Sequence, residues 1–460
     1  MMKLFNKQIP ILIVFLTFFA CDSFVETDLP KSQLASSSVF ENYETANAAL
    51  MSVYAKLRDT GLLTGIGTGL SNALGNYSDE LTAYGSATST NIAFYNNALL
   101  PGSTVISNLW NASYNQIYAA NAVIEGLDKS DGLTSENKKQ LLGEALFLRA
   151  VVHFYLTNLF GDVPYITTTD YKNNNTADKV GSDDIYKNII SDLQSASALL
   201  PETYSSTARS RANKLVCRAM LSRVYLYNRS YAEAANEASA LINKSTLYVL
   251  ESDLNNVFLI NSKETIWQFE SATAGQNTKE GSIFIFTAGP PASVAVNTIF
   301  TSSFLAGDQR KSKWLKAISK GSETWYHAYK YKEQSNTAVS KEYSVVLRLA
   351  EQYLIRAEAR AMQGDLIGAK EDLNKIRMRA GLAGTQSQTK EDILASVLEE
   401  RRWELFTEYG HRFFDLKRLN LLDINLQPIK AGWNTEDRLF PIPQTELGNN
   451  PKLLPQNPGY

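Results

Sequence analysis

The chain has 460 residues, 44% of them hydrophobic and 11% aromatic, which excludes a disordered polymer and supplies a sizeable core. Lys and Arg (45) nearly balance Asp and Glu (47), for a formal charge of −2 at pH 7; this excludes a binder that grips nucleic acid through a basic footprint. Two cysteines, Cys21 and Cys217, exclude a disulfide-built fold.

Lys3 and Lys7 precede an apolar run from Ile9 to Phe19 that ends at Ala20-Cys21. That is the order of a basic region, an apolar region and a small residue before a cut. The run is far shorter than the roughly 20 residues that span a bilayer, so residues 1–20 read as a lipoprotein signal peptide. Cleavage would leave Cys21 as the lipidation site, each buried methylene of its acyl chains adding about 0.8 kcal/mol. Loss of Lys3 and Lys7 would take the formal charge from −2 to −4. Residues 21–38, with Pro30 and Ser36-Ser37-Ser38, read as a lipidated N-terminus and flexible tether. Residues 39–460 read as one domain, with an N-terminal part of about 39–245 and a C-terminal part of about 246–460.

An amphipathic helix is predicted over about 41–57, with Ala46, Leu50, Tyr54 and Leu57 on one stripe. Between Gly61 and Pro101 glycine, Asn, Ser and Thr interrupt any periodicity, and a loop of that length in a compact domain is usually functional. Helices follow at about 104–127, 135–159, 183–200, 213–227 and 231–243; Phe160-Gly-Asp-Val-Pro stops the second of these. Thr265–Phe269 and Ser282–Phe286 read as short strands. A second helix pair is expected from Ser344, with Leu347, Ala350, Leu354, Ala357 and Ala361 on one face, Gly364-Asp365 as the turn and Leu366 to Arg379 as the return. Helices at 391–408 and 413–422 and a proline-rich coil complete the chain. The pairs at 213–243 and 344–380 share the outline of a tetratricopeptide-type hairpin, unevenly spaced. The fold class is therefore all-α, a helical scaffold interrupted by loop-rich insertions and a few short strands.

Catalytic chemistry finds no foothold. His153, His327 and His411 lack zinc-site spacing, and no nucleophile elbow, phosphate loop or dinucleotide fingerprint occurs, so neither metal nor cofactor is expected. Asp79 and Glu80 are adjacent and diverge, which suits hydroxyl acceptors better than a glycosidase pair. In the charged run from Glu399 to Arg418, Glu400, Glu404 and Glu408 recur at four-residue spacing and would repel one another. Arg401, Arg402 and Arg412 are expected to relieve them.

Six segments together carry a resemblance: Cys21-Asp-Ser-Phe-Val-Glu-Thr-Asp-Leu-Pro; Glu144-Ala-Leu-Phe-Leu-Arg-Ala running on to Leu159-Phe-Gly-Asp-Val-Pro; Arg348-Leu-Ala-Glu-Gln-Tyr-Leu-Ile-Arg-Ala-Glu-Ala; Leu373-Asn-Lys-Ile-Arg-Met-Arg-Ala-Gly-Leu; Glu400-Arg-Arg-Trp-Glu-Leu with Gly410-His-Arg-Phe-Phe-Asp-Leu-Lys-Arg; and the tail from Phe440-Pro-Ile-Pro to Asn457-Pro-Gly-Tyr460. In this order the sequence resembles the SusD/RagB family of surface lipoproteins. The resemblance implies four tetratricopeptide-like hairpins, an outer-membrane lipid anchor facing the cell surface, a SusC-like TonB-dependent transporter as partner, and capture of glycan without catalysis. Capture of oligopeptide, or a purely structural role for the helical repeats, are the alternatives. It also implies that Arg149, Glu358, Arg377, Glu400, Arg401, Glu404, Arg412 and Asp415 form a structural ion network. Ligand residues vary in this family, so candidates are chosen by position and chemistry: Asn72, Tyr77, Asp79, Glu80 and Tyr84 in the first insertion, Gly61 to Pro101; Trp314, Trp325 and Tyr326 in the second, the less helical stretch 246–331, where polar residues surround them; and Trp433 before the tail.

Overall fold

A computed structural model describes residues 38–460; the signal peptide, Cys21 and nearly all of the tether lie outside them. The N-terminal half runs α1 (Tyr43–Asp59), α2 (Leu70–Tyr77), β1 (Leu81–Ala83), α3 (Thr90–Tyr95), α4 (Thr104–Asp128), α5 (Ser135–Phe160), α6 (Tyr171–Asn174), α7 (Ser182–Leu199), α8 (Lys214–Tyr227) and α9 (Tyr231–Ile242). Helix starts follow the capping residues: the side chains of Asn42, Thr134 and Asn213 accept the amides of Thr45, Asn137 and Val216, filling donors that the helix cannot. α5 stops where Gly161 turns to φ 75°, a conformation that glycine adopts without strain.

The C-terminal half runs β2 (Thr265–Phe269), α10 (Lys279–Phe284), β3 (Val294–Val296), α11 (Thr298–Ser303), α12 (Gln309–Lys313), β4 (Leu315–Lys320), β5 (Glu323–Ala328), β6 (Ser344–Arg348), α13 (Leu349–Met362), α14 (Leu366–Arg379), α15 (Lys390–Leu405), α16 (His411–Arg418), α17 (Leu422–Leu426) and α18 (Gln444–Asn449). The fold is predominantly helical. α4 packs on α5, α8 on α9 and α13 on α14, and α9 in turn packs on α13. Arg223 of α8 bonds Glu351 of α13 through both carboxylate oxygens, at 2.7 Å each.

Three local expectations are corrected. The glycine-rich stretch from Gly61 to Pro101 holds two helices and a strand rather than loop alone. Ser282–Phe284 is helical, because Thr278 caps the amide of Gly281 and starts a turn. Ser344–Arg348 is a strand, paired antiparallel with β2; the helix begins only at Leu349, whose amide donates to the Glu264 carbonyl.

A four-stranded sheet, in the order β1-β3-β5-β4, stands apart from the β2-β6 pair. Leu81, Val294 and Val296 turn one face of it into a core with Phe258, Phe300, Trp314 and Phe406, separate from the main helical core. Between this sheet core and the helices lies a buried ion network. Arg310 bridges Asp308, Glu400 and Glu404; Arg348 bridges Glu264, Glu404 and Glu408. Arg379 joins Glu264 and Glu404, Arg377 holds Glu400, and Lys330 holds Glu408. The carboxylates that recur at 400, 404 and 408, the first two on α15, are thus relieved from other elements. Arg401 pairs instead with Asp415, and Arg402 and Arg412 with Asp79. Arg149 takes Asp192, and Arg418 takes Glu358 and Asp415.

Candidate ligand-binding site

Most of the first-insertion candidates face inward. The Asn72 amide donates to the Gly67 carbonyl (2.6 Å) and to Asn91 (2.7 Å), and Asn91 donates on to Ser293 (2.8 Å), lacing α2, α3 and the β3 approach together. Tyr77 is enclosed edge-on by Phe94, Phe413, Trp433 and Phe440 and gives its hydroxyl to the Asp437 carbonyl. Asp79 receives Arg412 through both oxygens, at 2.8 and 2.9 Å, and Arg402 at 2.8 Å. Burial alone would raise its carboxyl, but the two guanidinium groups outweigh burial and lower it.

Glu80 has no such partner. One oxygen accepts the Thr407 amide at 3.2 Å, and burial, then the Asp79 charge, push its carboxyl up to about 8. With its folded pKa above the unfolded value of about 4.3, the stability Glu80 carries is whole below that value and is lost as pH rises towards 8. Glu80→Gln, which keeps the amide bond and stays neutral, is therefore expected to gain on the wild type between pH 5 and pH 8.5 by on the order of a few kcal/mol. Urea midpoints at the two pH values measure it; parallel pH profiles would refute it.

Two tryptophan candidates are also core. Trp314 is 0% exposed, donates its indole N–H to the Leu254 carbonyl at 2.9 Å and carries Lys330 4.9 Å above its ring. The polar residues around it in sequence do not surround it in space. Trp433 is buried, gives its indole N–H to Asp423 at 2.9 Å and meets Tyr77 edge-on.

What remains near the surface comes together on the sheet. Strand alternation puts Trp325 and Tyr326 on opposite faces of β5. Tyr326 pairs with Ala317 and leans on the sheet core, while Trp325 pairs with Ile318 of β4. The Tyr84 amide donates to the Ser293 carbonyl at 2.7 Å, which continues the β1–β3 ladder and brings its phenol beside Trp325, with Tyr95 and Glu323 close by. Burial raises the Tyr84 hydroxyl, against the opposing effect of the Trp325 indole. Tyr95, from α3, carries the Lys430 ammonium 4.0 Å from its ring centroid. A Cβ at Gly289 would lie 2.2 Å from the Trp325 ring, so only glycine lets the indole rest there. The half-buried Tyr84, Tyr95 and Trp325 thus lie in one neighbourhood at the edge of the sheet, near one another but not ring on ring, and without a catalytic pair. Sequence reading placed Tyr84 and Trp325 among the candidates but not Tyr95 or Gly289. Tyr95 lies four residues from Asn91 on α3, a spacing that puts them on one face.

His153 is a packing residue. His153 stacks on Tyr165 at 4.0 Å and accepts the Ile166 amide, and burial lowers its pKa to about 3. Among the described residues no group of His, Cys, Asp and Glu could hold a metal ion, and no helix is long and apolar enough to cross a membrane.

Stacked helical pairs carrying a small sheet with surface aromatics define a binding scaffold. The chain belongs to the SusD/RagB family, whose members are binding proteins and not enzymes: residues 41–226 match the family described as starch-binding associating with outer membrane, and residues 263–460 the one described as SusD family. It is 24% identical to SusD-like protein P25 of Formosa agariphila over 100% of both chains. A SusD superfamily protein from Bacteroides vulgatus superposes with a TM-score of 0.81 at 22% identity, covering 92% of this chain and 100% of that one. Surface glycan-binding protein A from Bacteroides thetaiotaomicron, solved with laminarihexaose, does so with a TM-score of 0.76 at 19% identity, covering 90% and 99%.

Proposed function

We propose that the chain is a lipid-anchored outer-membrane protein, tethered through Cys21, that captures oligo- or polysaccharide at the cell surface and delivers it to a SusC-like TonB-dependent transporter. The single 39–460 domain and its four tetratricopeptide-like hairpins belong to the same reading. The observation that carries it is the Tyr84–Tyr95–Trp325 surface. Aromatic faces stack on the C–H side of a sugar ring while a few polar groups fix its orientation, the usual make-up of a small-molecule site. The structural relative solved with laminarihexaose supports the ligand class.

Calorimetry of the chain lacking residues 1–21 against laminarihexaose, other oligosaccharides and peptides tests this reading, and binding to peptides alone would sink it. Gly289→Ala sharpens the test. Its methyl group has to displace the Trp325 ring, so sugar affinity is expected to fall about tenfold, or 1.4 kcal/mol, with the urea midpoint unchanged. Unaltered affinity would remove Trp325 from the site.

A further inference from the structure

α4 carries a pattern that the surface above does not use. Trp110-Asn111, Tyr114-Asn115 and Tyr118 recur every four residues, so the aromatics form one column along the helix and the amides another beside it. The Trp110 and Tyr114 rings lie 4.9 Å apart, tilted by 46°. With α6 and α18 this face encloses a cleft of about 640 Å³, within the usual size of ligand pockets.

The cleft is built in advance. Tyr114 donates its hydroxyl to the Pro164 carbonyl on the floor at 3.0 Å. Asn450 donates to the Ala177 carbonyl and Asn174 to the Thr168 carbonyl, which ties the α18 and α6 walls to neighbouring backbone. Two rings stay open at the rim: Tyr118 is 50% and Tyr171 65% exposed. Glu446 of α18 also lines the cleft. Its side chain forms no ion pair or hydrogen bond among the described residues, and burial pushes its carboxyl up. No lysine or arginine lines the cleft.

These features select a ligand class. An anionic ligand would meet the Glu446 carboxylate with no lysine or arginine on the cleft wall to offset it, since the Lys56 ammonium is already bonded to Asn115 at 2.8 Å. A purely apolar one would strip water from the amides and the carboxylate and leave them unpaired. A neutral ring with vicinal hydroxyls meets both demands, its C–H face on Tyr118 or Tyr171 and its hydroxyls donating to Glu446 and exchanging bonds with the asparagines. We propose that this cleft is a second binding site, for an uncharged oligosaccharide, which shares no lining residue with the Tyr84–Trp325 surface.

The test uses the chain lacking residues 1–21, with laminarihexaose, cellohexaose, maltohexaose and xylohexaose as neutral probes, hexagalacturonate as the acidic probe and hexaglycine as the peptide. Calorimetry on Trp325→Ala is expected to leave binding of one neutral hexasaccharide. Adding Tyr118→Ala and Tyr171→Ala, both at exposed positions that the core does not need, should weaken that binding tenfold or more, and Glu446→Gln should weaken it several-fold. Cleft substitutions that leave all binding intact overturn the proposal and spare the sheet surface; loss of all binding through the cleft variants, with Trp325→Ala silent, does the reverse. A preference for hexagalacturonate or hexaglycine, or binding of no probe, overturns it as well.

Discussion

Replacing Arg348 by methionine is expected to destabilise the protein by about 3–5 kcal/mol, the range for removing one partner from a buried ion cluster. Arg348 contacts Glu264 at 2.8 Å, Glu404 at 2.6 Å and Glu408 at 2.8 Å, and it is 2% exposed. The surrounding network is balanced, with Glu264, Asp308, Glu400, Glu404 and Glu408 set against Arg310, Lys330, Arg348, Arg377 and Arg379. Methionine fills much of the volume but leaves one carboxylate uncompensated where water cannot reach. Glu404 shows the sign with pH. Burial alone would raise its carboxyl, yet Arg379, Arg348 and Arg310 together lower it. The stability it carries is therefore whole above the unfolded value of about 4.3 and is lost as pH falls through the lower folded value. Arg348→Met should accordingly move acid unfolding to higher pH as well as lower the urea midpoint at pH 7. The exposed pair Lys187–Asp184 is the control, since Lys187→Met removes a charge that water already screens and should leave the midpoint in place. Equal midpoints for wild type and Arg348→Met would show that the network does not hold the sheet core to the helices.

The same long-range pairing explains what the sequence could and could not reveal. Helix limits were legible where a local signal marks them: Asn213 capping Val216, Gly161 at positive φ, Gly364 between α13 and α14. The β6–α13 junction was not, because Val345, Val346 and Leu347 run without a break into the apolar face of Ala350, Leu354 and Ala357. Only the pairing with Thr265–Phe269, far back in the chain, makes them a strand. Asp79 read as a free acceptor for the same reason. Its partners Arg402 and Arg412 lie 323 and 333 positions away, beyond any local pattern. Trp314 was misplaced because its neighbours in sequence are polar, whereas in space Lys330, Arg348 and Arg379 approach its ring as members of the buried network. Candidate residues drawn from polarity along the chain thus include those that the core has claimed, and strand alternation on β5 is what separates Trp325 from Tyr326.

Trp325→Ala and Trp314→Ala are expected to fail in opposite ways, and the contrast tests where sugar is bound on the sheet. Trp325 is half-buried against Gly289 and Ile318, so its removal takes away a ring face more than core packing. A central aromatic of a binding site is worth about 2 kcal/mol or more on truncation, roughly thirtyfold in affinity, with little change in the urea midpoint. Trp325→Phe, which keeps a ring but loses the indole N–H beside Tyr84, should recover part of the affinity. Trp314 is enclosed by Phe258 and Phe406, and its loss leaves a cavity beneath the sheet together with an unpaired Leu254 carbonyl. Truncation of a buried tryptophan costs about 3–5 kcal/mol, so Trp314→Ala should unfold at much lower urea, and its affinity, measured while folded at low temperature, should fall only as far as the sheet above it shifts. If instead Trp325→Ala binds every sugar as the wild type does, the aromatic surface is not the site at which sugar is held, and Tyr84 and Tyr95 lose their proposed role with it.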